Sequence, residues 1–200
     1  MLDAFLIERD ADDQIDQRLD ATTFYPQSPR LYYGQTWDWW SQFIINPDIP
    51  NAFFKYSEQA QSEINGGGVI ERDGGTDYIV FRYSDVLLML AETLNANGKT
   101  SDAYKYVDEV RERANMEPLS TAKPGLGQTD FFEQIKHERL VELAGENVRF
   151  FDLKRWGMYG PQNAVNDPNF ATFTVGQDEI FPIPQAELDL NENLVQNPGY

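Results

Sequence analysis

Six charged residues in the last third of the chain have the types and spacing that chemistry could use. They recur at helical intervals among apolar residues: Glu138, Arg139, Glu142, Arg149, Asp152 and Arg155. Two carboxylates roughly 5–10 Å apart across a cleft would suit glycoside hydrolysis, but a chain with 33 acidic residues contains many chance pairs. Residues three or four apart share a helix face, and a buried charge needs a partner. We therefore predict a structural ion-pair lattice that joins helices, with no catalytic residue.

Aromatic side chains crowd the stretch from 31 to 40, which reads LYYGQTWDWW. Its aromatic members are Tyr32, Tyr33, Trp37, Trp39 and Trp40, and Phe43 follows. Flat aromatic rings can stack on the apolar C–H faces of a sugar, while Gln35, Asp38 and Gln42 could hydrogen-bond its hydroxyls. The five aromatics and Asp38 are then the candidate ligand contacts. The same aromatics could instead form a core or an interface with another domain, and both interpretations stay open.

The residue types give little support to metal or cofactor chemistry. The chain has no cysteine and a single histidine, His137, so neither a thiolate site nor a pair of histidines can form. The stretch from 10 to 20 resembles a calcium-binding loop only at Asp10 and Asp12, because Ile15 stands where the loop requires glycine. We expect no metal site and no cofactor.

Net charge restricts the partners. Lys and Arg number 16 against 33 Asp and Glu, which gives a formal net charge of −17. Such a chain repels phosphate backbones, so nucleic acid is not an expected partner.

The opening stretch MLDAFLIERDADD lacks the basic start of a signal peptide. No run reaches the roughly 20 apolar residues that a membrane helix needs.

Apolar periodicity predicts a mainly helical fold with extensive ordered loops and a few short strands. A first helix is expected from Arg82 to the glycine stop at Gly98, and Thr100 or Ser101 would cap a second. The pair spans residues 82–115, the length of one tetratricopeptide unit. A lone unit cannot close its own core, so the pair should pack on a third helix or on further repeats.

The remaining elements divide the chain into two expected parts of one continuous domain. Residues 1–65 should form an irregular, aromatic-rich loop region, and residues 66–200 a helical core that opens with a glycine-rich loop. A third helix is expected over 129–144, with Thr129 as its cap and Phe132 and Ile135 among its inward residues. A short helix near 149–156 and a strand near 180–182 complete the prediction.

Four stretches of the chain, taken in order, resemble the SusD/RagB family. They are FFKY (53–56), FRYSDVLLMLAETLNANGKTSDAYKYVDEVRERAN (81–115), FEQIKHERLVELAGENVRFFDLKRWG (132–157) and PIPQAELDLNENLVQNPGY (182–200). Residues 10–25 resemble the family's acidic D-x-R element only weakly. Gly145 and Asn147 depart from the family, which has an aromatic and then glycine there. Because Asn tolerates left-handed backbone geometry, we expect the turn to be kept.

The resemblance implies an outer-membrane lipoprotein on the extracellular face that binds oligosaccharide or polysaccharide without turning it over. Its implied protein partner is a SusC-type TonB-dependent transporter, which receives the ligand. Family members are longer and begin with a lipid-bearing cysteine and a tetratricopeptide superhelix. We therefore expect this chain to be the C-terminal portion of such a protein, with the N-terminal half of the family fold missing.

Two other functions remain as hypotheses. The helix pair could make the chain a protein-interaction module, with the Trp-rich stretch as its interface. An enzyme acting on glycans is the third hypothesis, because carboxylates and aromatics occur together.

Overall fold

The computed structural model describes residues 2–43, 52–57, 79–163 and 168–200. The chain divides into two compact units, Met1–Asn147 and Val148–Tyr200, and each is described by itself. The expected boundary between residues 65 and 66, and the glycine-rich loop beside it, lie outside the described residues. The prediction of a mainly helical fold with little strand is confirmed.

The first unit contains most of the helices and one small sheet. Its helices are α1 (Leu2–Leu6), α2 (Arg18–Thr22), α3 (Trp37–Ser41), α4 (Tyr83–Ala96), α5 (Thr100–Arg113), α6 (Leu119–Ala122) and α7 (Gln128–Glu142). The strands β1 (Thr23–Phe24) and β2 (Ala52–Phe53) pair antiparallel, with Thr23 opposite Phe53. The sequence predicted an irregular loop region over residues 1–65, and the structure has three short helices there, α1, α2 and α3.

Helices α4 and α5 are the predicted pair, and Gly98 ends α4 as expected. Gly98 has a φ of +73°, its N–H donates to the carbonyl of Asn95 at 3.0 Å, and the Lys99 N–H donates to Leu94 at 2.9 Å. These two bonds are the Schellman arrangement that satisfies the last carbonyls of a helix. The predicted cap of α5 was wrong, because Lys99 precedes the helix and the Thr100 hydroxyl donates to the Asn95 side chain instead.

The third helix, α7, packs on this pair. The main core of the unit draws on α4 to α7 and consists of Leu87, Leu88, Ala91, Ala103, Val107, Val110, Leu119, Phe131 and Ile135. The predicted Thr129 cap was wrong, because the extended residue Gly127 leads directly into α7. Phe131, rather than the predicted Phe132, is the fully buried aromatic; it lies four residues before Ile135, and its ring is 4.7 Å from that of Tyr104.

Within its described residues, the second unit has two helices, α8 (Arg149–Arg155) and α9 (Gln185–Leu190), with 3-10 turns at Pro161–Asn163 and Pro168–Thr172. The predicted strand at 180–182 was wrong, since Ile180 lies in a bend and the two residues after it have no regular secondary structure. Proline nitrogens on both sides of Ile183 cannot donate to a ladder. The Gln196 side-chain amide instead bonds the Ile183 N–H and carbonyl, at 2.8 and 2.9 Å.

No helix in the described parts of the chain is long and apolar enough to cross a membrane.

Candidate functional site

The aromatic stretch, which we call the aromatic segment and define as residues 31–43, is built on a buried base. Phe24 of β1, Trp37 of α3 and Phe54 after β2 form a small core of their own. The Phe24 and Trp37 rings meet edge to face, with centroids 5.3 Å apart. Trp37, one of the predicted ligand contacts, is only 8% exposed, so most of its indole packs in this core and little of it faces solvent. As the first residue of α3, Trp37 faces the base, and burial of its indole fixes the helix there.

A tight turn and one side-chain hydrogen bond fix the rest of the segment. Tyr32 and Gln35 exchange backbone hydrogen bonds of 2.8 and 3.1 Å across Tyr33 and Gly34, whose φ angles are +49° and +74°. Two positive φ angles in succession are the mark of a type I′ turn. The Trp40 indole N–H then donates to the Tyr32 carbonyl at 2.6 Å. Tyr32 and Trp40 are partly buried and support the turn.

Three aromatic side chains of the segment remain exposed. Tyr33, Trp39 and Phe43 are 36, 40 and 62% exposed, and the Trp39 and Phe43 rings lie 4.8 Å apart. Trp39 also meets Trp40 edge to face at 5.0 Å. The Asp38 side chain is exposed on the same short helix.

The exposed part of the segment can stack on apolar rings and hydrogen-bond their polar edges. A rigid aromatic surface loses little conformational entropy on binding, and nearby amides and carboxylates can bond hydroxyl groups. Of the six predicted ligand contacts, Tyr33, Trp39 and Asp38 are placed to do this, while Trp37 is not. Phe43, just after α3, joins them by exposure, and its position four residues after Trp39 was the sequence signal for it.

The charged residues of α7 lie in a buried ion-pair network. Glu138 is fully buried, and its two oxygens accept from Arg18, at 3.0 Å, and from Arg111. Arg18 also forms a two-pronged pair with Asp16, whose closest contact is 2.6 Å. Asp16 and Arg18 form a D-x-R sequence. This pattern, in the weakly matching stretch near the start of the chain, was the sequence signal for the Asp16–Arg18 pair.

Glu142 accepts hydrogen bonds from three guanidinium groups. Arg113 reaches both of its oxygens at 2.8 Å, Arg82 reaches one at 2.5 Å, and Arg18 lies at 3.4 Å. Burial alone would raise the pKa of Glu142, but these guanidinium groups, Arg82 first, lower it to about 2. The carboxylate therefore stays charged across the ordinary pH range.

The other predicted members of the lattice have different partners. Arg139 pairs with Asp85 of α4 at 2.8 Å. In the second unit Asp152 and Arg155 pair along α8 at 2.9 Å, and Arg149 is partly buried in its first turn. The partners of Glu138 and Glu142 thus come from outside the predicted set. A single lattice that joins all six residues stays a prediction.

One group of side chains has the residue types of a metal site. Oxygens of Glu8 and Glu138 and a ring nitrogen of His137 all lie within 4.8 Å of one another. Arg111 already pairs with both carboxylates, and Lys123 pairs with Glu8. Burial lowers the pKa of His137. A cation would have to displace these side chains, so the residues present fit a metal poorly.

The chain resembles known proteins in sequence and in structure. The model of the SusD family matches residues 7–200. SusD-like protein P2 of Formosa agariphila is 34% identical over 190 residues, which are 90% of this chain and 35% of that protein. The starch-binding protein SusD of Bacteroides thetaiotaomicron is 30% identical over 133 residues, which are 62% of this chain and 22% of that protein.

Solved structures agree with the sequence match. A SusD superfamily protein from Bacteroides vulgatus superposes with a TM-score of 0.78 at 26% identity, over 100% of this chain and 43% of that one. A SusD homolog from Bacteroides thetaiotaomicron gives 0.68 at 27% identity, over 92% of this chain and 41% of that one. The matched part of the chain thus spans between 22 and 43% of the length of these relatives. With a family match over nearly its whole length, the chain belongs to the SusD family.

Proposed function

We propose that this protein binds neutral oligosaccharide or polysaccharide without turning it over, and that the exposed aromatics of the aromatic segment contact the sugar. The observation that carries the proposal is the surface formed by Trp39, Phe43 and Tyr33 on a buried aromatic base. Asp38 is proposed as a hydrogen-bonding neighbour. The starch-binding activity in the name of one relative supports the same ligand class.

The charged residues of α7 support binding rather than hydrolysis. A glycosidase needs a general acid, whose pKa is raised so that it carries a proton at working pH. Glu142 has the opposite property, because guanidinium groups outweigh its burial and hold its pKa at about 2. Glu138 is fully buried and held by Arg18 and Arg111. These carboxylates therefore act in the fold.

The cellular setting is proposed from the family. We infer that the full-length protein is a lipoprotein on the outer face of the outer membrane and passes its ligand to a SusC-type TonB-dependent transporter. The net charge of −17 disfavours nucleic acid as a partner and favours an uncharged ligand.

The test is native affinity electrophoresis through gels that contain a panel of neutral polysaccharides. The wild type should be retarded by one of them, and Trp39→Ala and Tyr33→Ala should migrate as in a gel without polysaccharide. Tyr83→Ala is the matched control, because Tyr83 is an exposed tyrosine of α4, outside the segment. Retardation that survives Trp39→Ala and Tyr33→Ala would move the site elsewhere, and no retardation by any polysaccharide would count against the proposal.

A second candidate function, docking to another protein, is favoured by the outer face of α4. Tyr83, Val86, Met89 and Leu90 lie on one stripe of this helix and are 38 to 66% exposed. Exposed apolar stripes of this kind commonly mark protein–protein interfaces. Under this function Val86→Glu would weaken binding of a purified SusC-type transporter, measured by surface plasmon resonance, while glycan retardation would stay unchanged.

A further inference from the structure

Both flanks of the aromatic segment return to the same short stretch of chain at the end of α7. On one side α2 and β1 lead into the segment, and on the other β2 and Lys55 follow it. The two strands pair, and the Phe54 and Lys55 N–H groups both donate to the Thr22 carbonyl, at 2.9 and 3.1 Å. The segment is thus closed at its base, and whatever holds these flanks also fixes its place on the unit.

Arg18 holds the first flank. Arg18 is 5% exposed, and its guanidinium lies between Asp16 on its own side and Glu138 and Glu142 of α7. A planar guanidinium can serve several carboxylates at once, which a lysine ammonium cannot do with the same geometry. The pairs with Glu138 and Glu142 link residues that are 120 and 124 positions apart in the sequence.

Lys55 holds the second flank. Its ammonium pairs with Glu146 and donates to the Glu142 carbonyl at 3.3 Å. The neighbouring Phe53 ring packs on Gly145, where an added Cβ would lie 3.1 Å from two ring atoms. The carboxylates that receive the two flanks are therefore four residues apart, Glu142 and Glu146.

We propose that Arg18 and Lys55 are positioning residues for glycan binding: by ion pairs to Glu142 and Glu146 they hold both flanks of the aromatic segment, so that Trp39 and Phe43 are presented in one place. This inference rests on the proposed function. A surface that is fixed before binding loses less entropy when a ligand arrives, so loosening the flanks weakens affinity without removing a ligand contact.

The test compares Lys55→Met with three controls. Arg113→Met removes another partner of Glu142, at 2.8 Å, from a helix outside the segment. Val107→Ala destabilises the main core, where Val107 is fully buried, without touching the flanks. Lys55→Arg keeps the positive charge that Lys55→Met removes. Arg18→Lys tests the first flank, because lysine keeps the positive charge but lacks the planar guanidinium that can bond several carboxylates at once.

The first readout needs no ligand. With 5-fluorotryptophan, the protein gives four fluorine NMR signals, one for each tryptophan. Lys55→Met and Arg18→Lys should shift or broaden the signals of Trp37, Trp39 and Trp40, while Arg113→Met and Val107→Ala should leave them in place and Lys55→Arg should restore them. Unchanged signals in Lys55→Met and Arg18→Lys would overturn the inference.

The second readout is the affinity for the polysaccharide that retards the wild type. Lys55→Met should raise the dissociation constant on the order of tenfold, with recovery in Lys55→Arg and no change in Arg113→Met. Shifted signals with unchanged affinity would overturn the positioning role. If the wild type bound no polysaccharide, the proposed function would fail, and the role in glycan binding with it, while the fluorine signals would still decide whether these residues hold the segment.

Discussion

At the residue scale, Glu142 shows how a buried charge is kept in this fold. Its side chain has no contact with solvent, and Arg18, Arg82 and Arg113 reach it from three different elements. Removal of one member of a buried pair leaves an uncompensated charge, which costs about 3–5 kcal/mol of unfolding free energy. Through this carboxylate, ion pairs link α7 to Arg18 near the N-terminus, to Arg82 directly before α4 and to Arg113 of α5.

We expect the protein to lose stability as the pH falls from about 4.5, the ordinary pKa of a glutamate, towards 2. The folded-state pKa values of Glu142 and Glu8 are both lowered to about 2 by their cationic partners. A lowered pKa stabilises the folded state above the unfolded pKa, and this stability is lost as pH falls through the folded value. Thermal unfolding followed by circular dichroism in steps from pH 7 to 2 measures it.

The control for this acid dependence is an exposed glutamate. Glu133→Gln changes a side chain that is 62% exposed, so its acid profile should follow the wild type. Glu142→Gln should be less stable at pH 7 and should fall less steeply below pH 4.5. A profile of Glu142→Gln that ran parallel to the wild type would contradict the assignment.

Gly145 and Gly98 form a matched pair for a second prediction. Both have positive φ angles, +79° and +73°, but only Gly145 would place a Cβ against another residue, Phe53. Alanine at Gly98 should cost about 1–2 kcal/mol of unfolding free energy from backbone strain. Alanine at Gly145 should cost roughly 1–3 kcal/mol more, because the Phe53 ring must move. Equal losses in urea denaturation would show that the Phe53 contact contributes nothing.

At the element scale, helix α3 has one face in a core and one in solvent. Trp37 packs on Phe24, while Trp39, two residues later, is 40% exposed. A helix turns by about 100° per residue, so neighbours two apart point to different sides. This short helix therefore combines a structural tryptophan with a candidate ligand contact.

The two tryptophans should respond differently to truncation. Trp37→Ala should lower the unfolding free energy by about 3–5 kcal/mol, since it empties a buried site. Trp39→Ala should lower it by about 1 kcal/mol or less, because much of its ring is already in solvent. Urea denaturation measures both, and a loss for Trp39→Ala as large as that for Trp37→Ala would contradict the assignment of Trp39 to the surface.

Local signals in the sequence predicted some elements well and others poorly. Apolar stripes and the Gly98 stop identified α4 and α5 to within about two residues at each end, because both signals lie in or directly beside the elements. The exposure of individual aromatics was not predictable, since Trp37 and Trp39 occur in the same dense run. Their difference depends on Phe24 and Phe54, which β-pairing brings from either side of the segment.

The partners of the charged residues could not be predicted from the local sequence either. Helical spacing predicts that Arg139 and Glu142 share one face of α7, and both are buried there. Arg18 lies 120 positions from Glu138, and no periodicity links residues so far apart. The D-x-R sequence at Asp16 was the one local sign that an arginine of this region is held in a fixed geometry.

At the scale of the whole molecule, all three hydrophobic clusters found among the described residues lie in the first unit. They connect the N-terminal segment, the aromatic base and the helical core. The ion pairs of Glu138, Glu142 and Glu146 lie in the same unit. Residues 1–147 thus contain the packing that positions the candidate site.

We expect a chain that ends at Asn147 to fold cooperatively by itself. The hydrophobic clusters found among its described residues consist of first-unit residues, so the helical circular dichroism and a single thermal transition should be kept. The same chain should also retain the exposed aromatics of the aromatic segment. A broad, non-cooperative transition would show that the division into two units does not describe folding units.

The most direct test of the central claim, that exposed aromatics of the segment bind a neutral glycan, is isothermal titration calorimetry with an oligosaccharide from the retarding polysaccharide. We expect measurable binding by the wild type and Tyr83→Ala. Trp39→Ala should bind about tenfold more weakly, which corresponds to a loss of about 1.4 kcal/mol for one stacked aromatic. Binding by Trp39→Ala with the affinity of the wild type would contradict this role of the segment.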